Sequence, residues 1–292
     1  MQPKGTAGTI RDFTLSTRDG LRLYAWVRLP FGPIQGVIAH IHGMGEHSRR
    51  YDHLTGFWAT NGYASAGFDL RGHGRSQGRR GHTPSFEHLM DDIALFTAHV
   101  AEEFPANPRY LYGHSMGGNL ALNFLIRRHP AFVAGIASAP YLRLAFEPPK
   151  FKLLLARLLR PILPAMTFPS GLDASWLSRD PDVVRRYRED PLVHDRISVS
   201  FFTEIQGAGQ SALDHAAELA LPVLVMHGSA DRITSSAASQ EFVAGSGGKA
   251  MFKSCDGYFH ELHNEPEWQP VARFVLDWVA RSTPQACDQA RK

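Results

Sequence analysis

Short, almost wholly apolar runs alternate with longer segments of helical period along most of this chain, and no other feature narrows its fold as much. Gly36–Ile41 and Ala64–Leu70 are such runs, too apolar to present a face to water, as in strands buried on both sides of a parallel sheet. Tyr51–Thr60, closed by Asn61-Gly62, and Phe86–Phe104, closed by Pro105, read as helices, because Asn-Gly and Pro are stop signals there. Arg109–Tyr112 reads as a strand, Met116–His129 as a helix ending at Pro130, and Val133–Ser138 as a strand. Strand–helix alternation of this kind implies right-handed crossovers, hence an α/β fold: a mostly parallel central sheet with helices on both faces. Ahead of it, Arg11–Leu15 and Leu21–Leu29 alternate around Arg18-Asp19-Gly20 and read as a β-hairpin.

The alternation stops near Tyr141 and resumes with Val223–Met226, Ser236–Ala244, Ala250–Ser254 and Trp268–Arg281. The expected organisation is therefore one discontinuous core, residues 10–140 and 221–282, with a helical cap inserted at 141–220. A polar tail over 283–292 is expected to be disordered. Within the insertion, Trp176–Arg188 and Ser200–Gln206 read as helices. Lys150–Pro164 is leucine-rich with Lys150, Lys152, Arg157 and Arg160 interspersed, a cap helix expected to pack its apolar face on the core while its basic rim touches lipid. At 292 residues the chain can bury about 75% of its unfolded surface without a covalent or metal staple. Its two cysteines, Cys255 and Cys287, have no metal-finger or disulfide-framework spacing. Free thiols, a start at Met1–Thr9 without an apolar signal region, and no apolar stretch of about 18 residues lead to the expectation of a cytoplasmic protein that at most touches a membrane surface. A net charge of +3 is too small to argue for nucleic acid.

Gly113-His114-Ser115-Met116-Gly117 carries the chemistry. It follows a strand and opens a helix, the context that makes G-x-S-x-G a nucleophile elbow. A serine hydroxyl needs a base and an orienting acid, which follow in the order acid, then His, in this architecture. Asp231 stands just past the strand Val223–Met226 and is the expected acid, with Asp214 in the insertion as its rival. His260 stands just past Ala250–Ser254 and is the expected base, with His263 as its competitor. The oxyanion needs backbone N–H donors. Met116, after the nucleophile, supplies one, and the loop His42-Gly43-Met44-Gly45-Glu46-His47 the other, from Met44 or else Gly43. His40, His42, His47 and His53 are read as hydrogen-bonding loop residues rather than a metal site, since no carboxylate cluster completes one. Asp69–Ser76 is Gly-rich but lacks the Gly-Lys-Ser/Thr ending of a phosphate loop, and is read as structural. No cofactor is expected.

His42-Gly-Met-Gly-Glu-His-Ser, Phe68-Asp-Leu-Arg-Gly-His-Gly-Arg-Ser, Gly113-His-Ser-Met-Gly-Gly, His227-Gly-Ser-Ala-Asp231 and Gly257-Tyr-Phe-His-Glu-Leu-His-Asn-Glu together resemble the monoacylglycerol lipase / lysophospholipase branch of the α/β-hydrolase superfamily. Ser178-Arg-Asp-Pro and Tyr187-Arg-Glu-Asp-Pro-Leu are similar to its cap, and the likeness spans about residues 10–280. The resemblance implies hydrolysis of monoacylglycerols through an acyl-enzyme, with a mobile cap over an acyl channel. It also implies that Glu46, Arg50, Tyr187 and His263 serve the glycerol end. Lysophospholipase, broad carboxylesterase, serine aminopeptidase-like peptidase and a non-enzymatic ligand-binding protein are the alternatives it leaves.

Overall fold

A computed structural model describes residues 8–147 and 158–283. The first two strands, β1 (Thr9–Ser16) and β2 (Arg22–Leu29), form the antiparallel hairpin. Then come β3 (Gly36–Ile41), α1 (Asp52–Thr60), β4 (Tyr63–Phe68), α2 (Phe86–Glu103), β5 (Arg109–His114), α3 (Met116–Arg128) and β6 (Ala134–Ser138). After the interruption the order is β9 (Val223–Gly228), α6 (Ser236–Gly245), β10 (Ala250–Cys255) and α7 (Trp268–Ser282). The eight strands form one sheet in the order β1-β2-β4-β3-β5-β6-β9-β10. It is parallel except where β2 meets β1 and β4.

The apolar strands are divided between two cores because side chains alternate across a sheet. Val37, Ala39 and Ile41 of β3 join a cluster with Leu89 and Phe96 of α2, Leu120 of α3 and Phe242 of α6. Ile38, between them, joins Leu54 and Trp58 of α1 and Val275 and Leu276 of α7 on the opposite face. Leu111 and Tyr112 of β5, and Val225 and Leu224 of β9, divide in the same way. Each fully buried side chain of this size contributes about 1.5–3 kcal/mol relative to exposure.

The parallel strands end on one side of the sheet. The chain leaves β3 toward β4 in one direction and later builds β5, β6 and β9 in the other. A crevice opens at such a switch point, past the carboxyl ends of the strands.

The interrupting segment differs in detail from the pattern reading. It contains β7 (Thr167–Pro169) and β8 (Arg196–Ser198), an antiparallel pair of three residues each, too short to leave an alternation in the sequence. The helix expected over Trp176–Arg188 is instead a single 3₁₀ turn, Ala174–Trp176, followed by α4 (Pro181–Glu189). The break is local chemistry. Asp180 accepts a hydrogen bond from the Asp182 N–H at 2.8 Å, and Pro181, lacking an N–H, sits where a helix begins. The helix expected over Ser200–Gln206 runs longer, as α5 (Val199–Asp214). Most of the leucine-rich run lies outside the described residues, as does the tail beyond residue 283. Leu158, Ile162 and Leu163, at the end of that run, are exposed. Among the described residues no helix is long and apolar enough to cross a membrane.

Candidate active site

Ser115 joins β5 to α3 with φ +53° and ψ −119°, a region that costs energy for any residue with a Cβ. The backbone is held there from three sides. Ser115 N–H donates to Ser138 O at 2.9 Å, and Ser115 O accepts from Asn119 N at 3.0 Å and Tyr141 N at 2.9 Å. The flanking glycines are sterically required. A Cβ on Gly113 would lie 2.2 Å from Gly117 O, and one on Gly117 would lie 2.2 Å from Ile41 O. Gly117→Ala is therefore expected to destabilise the fold by several kcal/mol, about 3 or more. Gly207→Ala, with nothing within 4 Å of the added Cβ at an exposed position of α5, is expected to gain about 0.8 kcal/mol. Urea midpoints of the two variants check both signs.

Asp231 lies in the loop after β9 with its side chain fully buried. Its Oδ1 accepts from Ile233 N at 2.7 Å and Thr234 N at 3.1 Å. Its Oδ2 accepts from Thr234 Oγ1 at 2.9 Å and faces His260 Nδ1 at 2.7 Å. His227 Nε2 lies 3.0 Å from the same oxygen. Burial alone would raise the Asp231 pKa, but the charge of His260 and the hydrogen bonds from His227 and His260 outweigh it and hold the carboxyl well below its ordinary range. His260, in the loop after β10, is buried. Burial works against its charged form, yet the Asp231 carboxylate prevails and raises its pKa.

Ser115, His260, Thr234, Gly43 and Met44 line a single cavity of about 140 Å³. Most of its wall is apolar, including Leu144, Phe146, Phe168, Trp176 and Phe202, and it has a polar end with Glu46, His114, Tyr187 and Glu261. Met116 opens α3, so its N–H has no acceptor within the helix ladder. In the loop after β3, Gly43 N–H is already committed to Glu46 Oε1 at 2.7 Å, which leaves Met44 as the neighbouring donor.

Of the four residues linked to a glycerol end, Glu46 and Tyr187 reach the cavity. Arg50 stands one layer behind, donating to Glu261 at 2.6 and 2.8 Å and to Glu46, with its guanidinium 4.7 Å from the Tyr187 ring centre. His263 is also behind the wall, stacked on Tyr51 at 4.4 Å and edge-on to His114 at 4.9 Å. Neither of its ring nitrogens has a hydrogen-bond partner, and burial pushes its pKa well down. Asp214, the rival acid, ends α5 at the surface and accepts from Gln210 Nε2 at 2.8 Å.

The Serine aminopeptidase, S33 family matches residues 32–267. The chain belongs to that family. An uncharacterized abhydrolase domain-containing protein of Dictyostelium discoideum is 32% identical over 286 residues, 97% of this chain; the chain spans 30% of that protein's length. A monoacylglycerol lipase of Mycolicibacterium smegmatis is 32% identical over 262 residues, 89% of this chain and 93% of that one. The crystal structure of Paleococcus ferrophilus monoacylglycerol lipase superposes with a TM-score of 0.79 at 32% identity, over 94% of this chain and 100% of its own. The architecture is the α/β-hydrolase fold.

Much of the histidine content of this S33 chain fastens loops around the site. His42 Nε2 accepts from Leu70 N at 2.9 Å, which places its proton on Nδ1 for donation to Gly43 O at 2.7 Å. Burial holds its pKa down to about 3, so it stays neutral. His40 bonds Ser48 O at 3.1 Å and His53 bonds His263 O at 2.6 Å. His47 pairs with Asp190 at 2.9 Å. Among the described residues no group of three or more His, Cys, Asp or Glu could hold a metal ion. Asp69 closes its Gly-rich loop by accepting from Arg75 N at 2.7 Å and ties it to the segment after β3 by accepting from Ser48 N at 2.8 Å. The pattern reading missed Glu261. It sits next to His260, but its partner Arg50 is 211 positions away, and no local spacing announces such a pair.

Proposed function

We propose that this chain is a serine ester hydrolase that cleaves monoacylglycerols to free fatty acid and glycerol through an acyl-enzyme intermediate. The observation that carries the reading is convergence: a serine on a strained strand-to-helix turn and His260, held from behind by the buried Asp231, line one cavity, apolar along most of its wall and polar at one end. Ser115 Oγ attacks the ester carbonyl as His260 Nε2 takes its proton, and Asp231 stabilises the imidazolium. The N–H groups of Met44 and Met116 receive the oxyanion. His260 then protonates the departing glycerol. A water molecule, deprotonated by the same imidazole, cleaves the acyl-enzyme and releases the acid. The acyl chain lies along the Phe168 and Phe202 side, and glycerol at the Tyr187 end. Arg50 and His263 support that end from behind, through Tyr187 and Tyr51.

Residues 141–220 act as the cap. Phe146 and Leu172 line the cavity yet are 48% and 37% exposed, and Leu158, Ile162 and Leu163 are exposed in the same segment. That apolar rim supports a transient contact with a lipid surface. Two relatives named as monoacylglycerol lipases, each 32% identical over most of the chain, agree with this choice of substrate. The test is a rate comparison across monoacylglycerols, lysophospholipids, short p-nitrophenyl esters and aminoacyl amides. Monoacylglycerols are expected to give the highest kcat/KM. Equal or faster turnover of lysophospholipids or amides overturns the assignment.

A further inference from the structure

We infer that Glu46 is a positioning residue for the oxyanion loop rather than a ligand for the leaving alcohol. The inference rests on the serine-hydrolase reading of Ser115. Three donors already occupy the Glu46 carboxylate, all from its own stretch of chain. Gly43 N–H donates to Oε1 at 2.7 Å, Tyr51 Oη–H donates to Oε1 at 2.7 Å, and the Arg50 guanidinium donates to Oε2. The carboxylate thus closes the loop 43–46 on itself and fixes the His42–Gly43 peptide, immediately ahead of the one that carries the Met44 N–H. That loop passes close beside the nucleophile: a Cβ on Gly43 would lie 3.3 Å from Ser115 Cβ and 2.9 Å from Glu46 Oε1. With Oε1 shared by two donors and Oε2 turned to Arg50, little acceptor capacity remains for a substrate hydroxyl.

The contact also reaches the other half of the site. Arg50 grips both oxygens of Glu261, and Glu261 directly follows the base His260. A continuous set of buried charge-assisted bonds therefore runs from the residue beside the base, through Arg50, to the amide beside the oxyanion donor. Such bonds hold geometry more firmly than neutral ones. Catalysis depends on donors standing near 3 Å from the developing oxyanion. The oxyanion forms in both acylation and deacylation, so a misplaced Met44 N–H slows the reaction whatever alcohol departs. A ligand for glycerol would instead matter only while glycerol is present.

Two substrates with one acyl group and different leaving groups, glycerol and p-nitrophenol, separate the two roles. For Glu46→Ala, kcat is expected to fall by a similar factor on both, roughly 10- to 100-fold against the 10²–10³ typical of losing a donor outright, with KM little changed. Glu46→Gln keeps an acceptor for Gly43 N–H and Tyr51 Oη–H. It is expected to turn over roughly tenfold faster than Glu46→Ala, as one retained bond of about 1.4 kcal/mol would give. A loss confined to the glycerol ester, a loss in KM alone, or a Gln variant as slow as the Ala variant overturns the inference. If Glu46→Ala does not fold, the comparison of the two leaving groups is read from Glu46→Gln, by the same criterion. Failure of the underlying reading looks different: wild type would then hydrolyse neither ester, or Ser115→Ala would hydrolyse both.

Discussion

Ser115→Ala is expected to lower ester hydrolysis by on the order of 10⁵-fold or more, in line with removal of a nucleophile from a triad acting as a unit, while leaving the fold unchanged within about 0.5 kcal/mol. The separation of the two effects follows from how the turn is held. Its restraints are backbone bonds, from Ser115 N to Ser138 O and from Asn119 N and Tyr141 N to Ser115 O, and none of them uses the hydroxyl. Alanine keeps the Cβ and meets the same penalty at φ +53°. Glycine does not, so Ser115→Gly is expected to be equally inactive but more stable than wild type by about 1 kcal/mol. Labelling with a fluorophosphonate probe supplies the second readout: wild type is expected to label at one site per chain, and both variants not at all. Equal labelling of Ser115→Ala, or retained hydrolysis, would mean that another residue is the nucleophile.

The elbow was legible in the sequence because everything that makes it is local. A strand, five residues and a helix start carry the motif, and the steric need for Gly113 and Gly117 is met by neighbours a few residues or one strand away. The core strands were legible for a similar reason, since burial on both faces leaves a run such as Gly36–Ile41 with nothing polar except His40, which finds Ser48 O. The interrupting segment was less so. β7 and β8 pair across residues 167–198 with three residues each, and the helical pattern that begins at Trp176 becomes a helix only from Pro181. The hardest feature was the polar end of the cavity. Glu46, Arg50, Tyr187 and Glu261 come from three distant stretches, and their roles depend on which oxygen meets which donor. The resemblance pointed to Glu46, Arg50, Tyr187 and His263 as one group, but only the contacts separate the two that reach the cavity from the two behind it.

Asp231→Asn is expected to cost roughly 10³–10⁴-fold in kcat, the scale reached when the orienting acid of a triad is made an amide, and the geometry states why an almost isosteric change does so much. Oδ1 accepts from two backbone N–H groups, Ile233 and Thr234, so the amide oxygen must occupy that position. The amide nitrogen is then left where Oδ2 was, facing His260 Nδ1. A donor there requires Nδ1 to accept, which puts the ring proton on Nε2 and removes the lone pair that should take the Ser115 proton. The change also has a pH signature. His260 must be neutral to act as a base, so activity rises with pH through its pKa. In wild type the Asp231 carboxylate overcomes burial and raises that pKa above the ordinary value of 6.5, and the acid limb of kcat/KM is expected above pH 6.5. Without the carboxylate, burial dominates and favours the neutral ring, so the limb of the residual activity moves to lower pH. The variant therefore keeps its base unprotonated over a wider range than wild type and is still far slower. A pH–rate profile of both proteins reads this directly: a limb that does not move, or a loss below about tenfold, would show that Asp231 neither sets the charge nor the tautomer of His260.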